Sequence, residues 1–99
     1  MNIEKEIGYT FHNKALLRNA LTHSSACNEK TAGQNNERLE FLGDSVLSVI
    51  VADYLYKEFS NLPEGELTKL RASLVCEKSL CSFSRELKLG EFLKLGRGE

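Results

Sequence analysis

The chain is poor in the residues that punctuate or staple a fold. It has one proline, no tryptophan and three cysteines in 99 residues. With Pro63 alone, long stretches are free to run as helix. Cys27, Cys76 and Cys81 are odd in number and lack C-x-x-C spacing, which argues against a disulfide framework and against a zinc site. Small buried or half-buried thiols in a reducing compartment are expected instead. No apolar run approaches membrane-spanning length. Residues 1–6 show neither a basic stretch nor an apolar one, so no secretory signal is legible and a cytoplasmic location is expected. An excess of either charge is also missing: 13 basic and 14 acidic residues give a formal net charge of −1. That balance gives no general attraction to a polyanion, so nucleic-acid binding would have to come from local patches. No alternating β-branched run and no Asn-Gly turn marks a strand.

What is present reads as helix. An apolar fraction of 41% allows one small domain with a thin core. Residues 3–7 begin a short helix. Asn13 is an N-cap for a helix over residues 14–21, where Leu16, Leu17, Ala20 and Leu21 repeat at helical spacing. His23 follows, where a donor side chain suits the exposed carbonyls. Residues 24–35 are polar and read as a surface loop. Asn36 is placed to cap a long helix over residues 37–59. Its middle, Val46-Leu47-Ser48-Val49-Ile50-Val51-Ala52, is apolar nearly all round, which predicts a central helix covered on several sides. Pro63 opens a helix over residues 64–75 with Leu67, Leu70 and Leu74 inward, and a last one spans residues 78–87 with Leu80, Phe83, Ser84 and Leu87. Gly90 fits a C-cap. The predicted class is all-α.

The segment richest in chemical content is Asn35-Asn36-Glu37-Arg38-Leu39-Glu40-Phe41-Leu42-Gly43-Asp44-Ser45. Glu37, Glu40 and Asp44 fall at i, i+3 and i+7, so a helix puts them on one face. The same stripe continues as Leu47, Val51, Tyr54 and Leu55. The helix dipole accounts for acids in the first turn, as at Glu37 and Glu40, but Asp44 lies too deep for it. No lysine or arginine stands four residues on, and Arg38 points elsewhere. Crowded like charge calls for a cation, and a divalent ion with few protein ligands suits Glu40 and Asp44 at i and i+4. Metal with carboxylates points to phosphodiester chemistry, which needs more acids than one helix supplies. Glu64 and Glu66 are the nearest in sequence, although both also read as ordinary first-turn acids. Gly43 inside a helix costs about 1 kcal/mol against alanine, which implies a close neighbour. His23 reads as a cap or core residue before a base. Cys27 has no basic neighbour to activate it. Lys69, Arg71 and Lys78 read first as solvated or ion-paired side chains and second as phosphate contacts.

The run Asn36-Glu37-Arg38-Leu39-Glu40-Phe41-Leu42-Gly43-Asp44-Ser45-Val46-Leu47 resembles the signature of the bacterial ribonuclease III family. Ala20-Leu21-Thr22-His23-Ser24-Ser25, Glu64-Gly65-Glu66-Leu67-Thr68-Lys69-Leu70-Arg71-Ala72-Ser73-Leu74-Val75 and Leu93-Lys94-Leu95-Gly96-Arg97-Gly98-Glu99 resemble its other segments in the same order. The resemblance implies an all-α endonuclease domain, a helical bundle around a long central helix. It implies a homodimer that cuts double-stranded RNA with Mg²⁺, or Mn²⁺ in its place, and uses no small-molecule cofactor. By position, Glu40 would be a metal ligand and Asp44 a catalytic carboxylate at the metal. Glu37 and Glu64 would line the cleft, and Phe41 would sit at the dimer contact. Recognition would rest on duplex shape, 2′-hydroxyls and phosphates. The family carries a further helix with an Asp-x-x-Glu pair, and often a double-stranded-RNA-binding domain, and neither is found in residues 1–99. The expectation is therefore an incomplete nuclease domain, weakly active or inactive alone. The alternative is a non-catalytic module that pairs with a full-length relative or binds RNA.

Overall fold

The computed structural model describes residues 2–27 and 34–96. Among them the chain forms five α-helices: α1 (Ile3–Ile7), α2 (Lys14–Ala20), α3 (Glu37–Glu58), α4 (Glu64–Val75) and α5 (Glu77–Glu86). Short 3₁₀ turns lie at Ser24–Ala26 and Leu89–Glu91. The all-α prediction holds, and the α4 boundaries fall where the sequence put them. The expected loop at residues 24–35 holds a 3₁₀ turn in its described part, and residues 28–33 lie outside the described residues.

Five residues do not make a stable helix on their own, and α1 persists through its ends and one carboxylate. The Asn2 side chain accepts from Glu4 N–H at 2.9 Å. Gly8 closes the helix in the left-handed region, φ 72°, where glycine carries no Cβ penalty. Glu4 then accepts from the Phe11 backbone N–H at 2.6 Å and from Lys14 Nζ at 2.7 Å, tying α1 to the start of α2. Asn13 caps α2 as expected, accepting from Ala15 N–H at 3.0 Å.

The long helix α3 packs chiefly against α4, which the short turn around Pro63 folds back along it. Asn36 occupies the N-cap position, yet its side chain does not cap. Asn35 does that instead, accepting from Glu37 N–H at 3.0 Å, while Asn36 Nδ2 donates to Ala20 O. The last helix is followed by Lys88 at φ 57°, and Gly90 sits within a 3₁₀ turn. The C-cap expected at Gly90 belongs instead to Leu87, and the left-handed residue that follows it is a lysine in a conformation that favours glycine.

Coverage of α3 differs most from expectation. Leu55 is buried, and Leu47, Val51 and Ala52 are half-buried, but Val46, Val49, Ile50 and Tyr54 are exposed. The apolar middle packs on one side only, because α4 is the one long helix that lies along it. The thiols also differ: Cys27 is half-buried as expected, but Cys76 and Cys81 are exposed, and all three are free.

Candidate active site

Helix α3 presents its acids on its first two turns. Glu37, Glu40 and Asp44, with Phe41, Gly43, Ser45, Leu47 and Leu80, line one open hollow. The structure thus brings together three of the four acids singled out from the sequence. The fourth is elsewhere: Glu64 lies in the groove between α3 and α4 with Asp53 and Arg71, where its carboxylate accepts from the Thr68 hydroxyl at 3.0 Å. Glu37 and Glu64 thus line different hollows of the single chain. Glu64 is held beside the second half of α3, and the other acids start the helix.

None of the ion pairs among the described residues reaches the three acids. Those pairs are Lys14–Glu4, Lys57–Asp53 and Lys69–Glu66. The last bears out the ordinary reading of Lys69. Arg38 lines a different hollow, with Leu16, Asn19 and Leu42. All three carboxylates are exposed on α3, with no ion-pair partner among the described residues. Phe41 stands between the two hollows and is 81% exposed. An aromatic ring so open to water is unusual on a protein surface unless a partner covers it.

Gly43 was expected to admit a close neighbour. No atom lies within 4 Å of a Cβ built there, so no other part of the described chain accounts for it. His23 does not serve the α2 carbonyls. Its Nδ1 meets Ser25, and its backbone N–H donates to Lys94 O.

The described residues form no group of three or more His, Cys, Asp or Glu side chains able to hold a metal ion. What α3 offers is an open edge of hard oxygen donors. That edge suits an ion such as Mg²⁺, which takes one or two carboxylates and keeps several waters, and does not suit a closed cage. The donor set fits the metal inferred from the sequence as part of a site.

Comparison with known proteins places the chain. The Ribonuclease-III-like family profile matches residues 13–99. The chain belongs to the ribonuclease III family. Ribonuclease 3 of Oceanobacillus iheyensis is 54% identical over 99 residues, covering 98% of this chain and 43% of the relative. Ribonuclease 3 of Caldanaerobacter subterraneus subsp. tengcongensis is 53% identical over 98 residues, again covering 43% of its length. The chain thus spans less than half the length of these relatives. Two solved structures of the ribonuclease III nuclease domain from Campylobacter jejuni superpose with TM-scores of 0.88 and 0.86 at 45% identity. Each match covers 98% of this chain and about two thirds of that domain (65% and 63%). The first of those domains is described as flexible in a region involved in dimer formation. The fold is that of a ribonuclease III nuclease domain.

Proposed function

We propose that this chain supplies the acidic helix of a divalent-metal-dependent endoribonuclease that cuts double-stranded RNA as a homodimer. One observation carries the reading: Glu37, Glu40, Asp44 and Phe41 share an open hollow on α3, and no ion pair among the described residues reaches its acids. Glu40 and Asp44, one helical turn apart, hold the Mg²⁺. When bound, such an ion activates water for attack on a phosphodiester and stabilises the leaving oxygen. Glu37 adds negative charge at the rim, which favours the ion and holds RNA phosphates off the bare carboxylates. Phe41 enters the partner subunit, and that burial accounts for its present exposure. Glu64 serves the same site only through a rearrangement, or through a partner that brings the α3–α4 groove toward the hollow.

Because no three ligands converge among the described residues, the chain by itself is expected to cleave weakly. The test uses long duplex RNA with Mg²⁺ and pairs cleavage with a direct metal readout, Mn²⁺-induced broadening of NMR signals. Slow cleavage, lost in Asp44→Asn, and broadening confined to the first turns of α3 are the expected results. Broadening absent at millimolar Mn²⁺ would sink the metal reading. Duplex binding without cleavage or broadening would favour the non-catalytic module.

A further inference from the structure

We propose that residues 20–25 form a coupling clamp that locks the 92–96 segment to the N-terminus of the acidic helix, with Ser25 and His23 as its positioning residues. The proposal rests on the reading of α3 as the functional helix.

The geometry is that of a short connector with two working edges, running from the last residue of α2 through Leu21, Thr22 and the extended His23 into the 3₁₀ turn. On one side, Ala20 O accepts from Asn36 Nδ2 at 3.0 Å and Thr22 O accepts from Asn36 N–H at 2.9 Å. On the other, Leu21 O accepts from Lys94 N–H at 2.7 Å, and His23 N–H donates to Lys94 O at 3.0 Å. Thr22 and Lys94 thereby pair as an isolated parallel bridge. The two sides are interleaved residue by residue, so neither can shift without moving the other. Asn36 is the last residue before Glu37 and fixes where the acid-bearing turns begin.

Ser25 closes the outer side. Its Oγ accepts from Gly96 N–H at 2.9 Å and lies 2.7 Å from His23 Nδ1. The Ser25 backbone N–H also donates to that nitrogen, at 3.1 Å. An imidazole nitrogen that receives an N–H must be the unprotonated one, so the ring proton sits on Nε2 and the Ser25 hydroxyl donates to Nδ1. The hydroxyl then serves both neighbours, with its proton toward His23 and one lone pair toward Gly96. Gly96 is required there, because a Cβ would collide with the Ser25 carbonyl oxygen. Serine, histidine and glycine are each fitted to one contact, and the contact ends at the acidic helix.

The test is amide hydrogen exchange on the full chain, read at Gly96 and Lys94 for the clamp and at Asn36 and Glu37 for its transmission. Ser25→Ala is expected to speed exchange at Gly96 by about fivefold to tenfold, the loss of one net hydrogen bond. A smaller acceleration, about twofold to threefold, should appear at Asn36. Gly96→Ala, whose Cβ would press on the Ser25 carbonyl, should reproduce both effects with the Ser25 hydroxyl still present. Histidine variants separate positioning from bulk packing: His23→Asn keeps an acceptor where Nδ1 stands and should preserve protection, whereas His23→Gln moves it and should not. Faster exchange at Gly96 with Asn36 unchanged would overturn the coupling, and so would equal behaviour of the Asn and Gln variants. The exchange readout needs no metal, so a failure of the Mn²⁺ reading leaves it standing. Where Mn²⁺ does bind, its affinity should fall several-fold in Ser25→Ala and recover in Ser25→Thr.

Discussion

At the scale of single residues, two side chains have environments that set their acidity. Lys14 and the Phe11 backbone N–H both donate to the Glu4 carboxylate and hold its pKa below the usual range. A depressed carboxylate stabilises the fold above its unfolded value, about 4.3, and loses that contribution as pH falls through the lowered folded value. Acidification below about pH 4 is therefore expected to release α1 from α2, seen as faster exchange of the Phe11 amide. Glu4→Gln should release it at neutral pH and flatten the dependence. Cys76 is the second case. The Ser79 hydroxyl, 3.3 Å from its Sγ, and the free N–H groups opening α5 draw its pKa down. Since the thiolate is the nucleophile, Ser79→Ala should slow alkylation of Cys76 by iodoacetamide several-fold near neutral pH, measured by mass spectrometry. An unchanged rate would refute that account.

At the scale of elements, α3 carries a cost that the isolated chain does not repay. Gly43 lies in an exposed helix interior with open space around it. Gly43→Ala should accordingly stabilise the chain by about 1 kcal/mol, visible as a higher urea midpoint. If the same variant loses dimerisation or RNA cleavage, the glycine serves a partner's approach, as the proposed homodimer requires. A destabilised variant would mean an intramolecular contact at that position. The cap of α3 shows a division that sequence reading missed. Two adjacent asparagines had one cap position to fill. Asn35 took the capping bond, which freed Asn36 to join the clamp.

At the scale of the whole molecule, the chain is open. Its radius of gyration is 16.1 Å, against about 13 Å for a compact domain of this length. Its accessible surface is 8065 Å², where about 5,700 Å² is usual for this mass. Among the described residues only Ile3 and Leu55 count as a buried apolar core. Leu42, Val46, Val49, Ile50 and Tyr54 form an exposed apolar face on α3. Such a surface favours association. Ile50→Lys is expected to change the unfolding free energy by no more than about 0.5 kcal/mol, the range for exposed positions. The same variant should reduce concentration-dependent association in sedimentation velocity. A loss of several kcal/mol would show that Ile50 is covered in solution.

The sequence by itself determined what is local or periodic. Helical spacing and single capping or breaking residues such as Asn13 and Pro63 act within a turn or two, so they mark elements in any context. The i, i+3, i+7 placement of Glu37, Glu40 and Asp44 put them on one face for the same reason, and the family was legible in that run. Only the tertiary structure decided which faces are covered. Helix α3 looked central because its middle is apolar all round, but burial depends on which neighbours arrive, and α4 covers one side. Tertiary structure also separated Glu64 from the other acids. It gave Lys88, not Gly90, the left-handed turn, and it joined Thr22 to Lys94. Those contacts link groups far apart in the chain, and no local pattern encodes a distance across space.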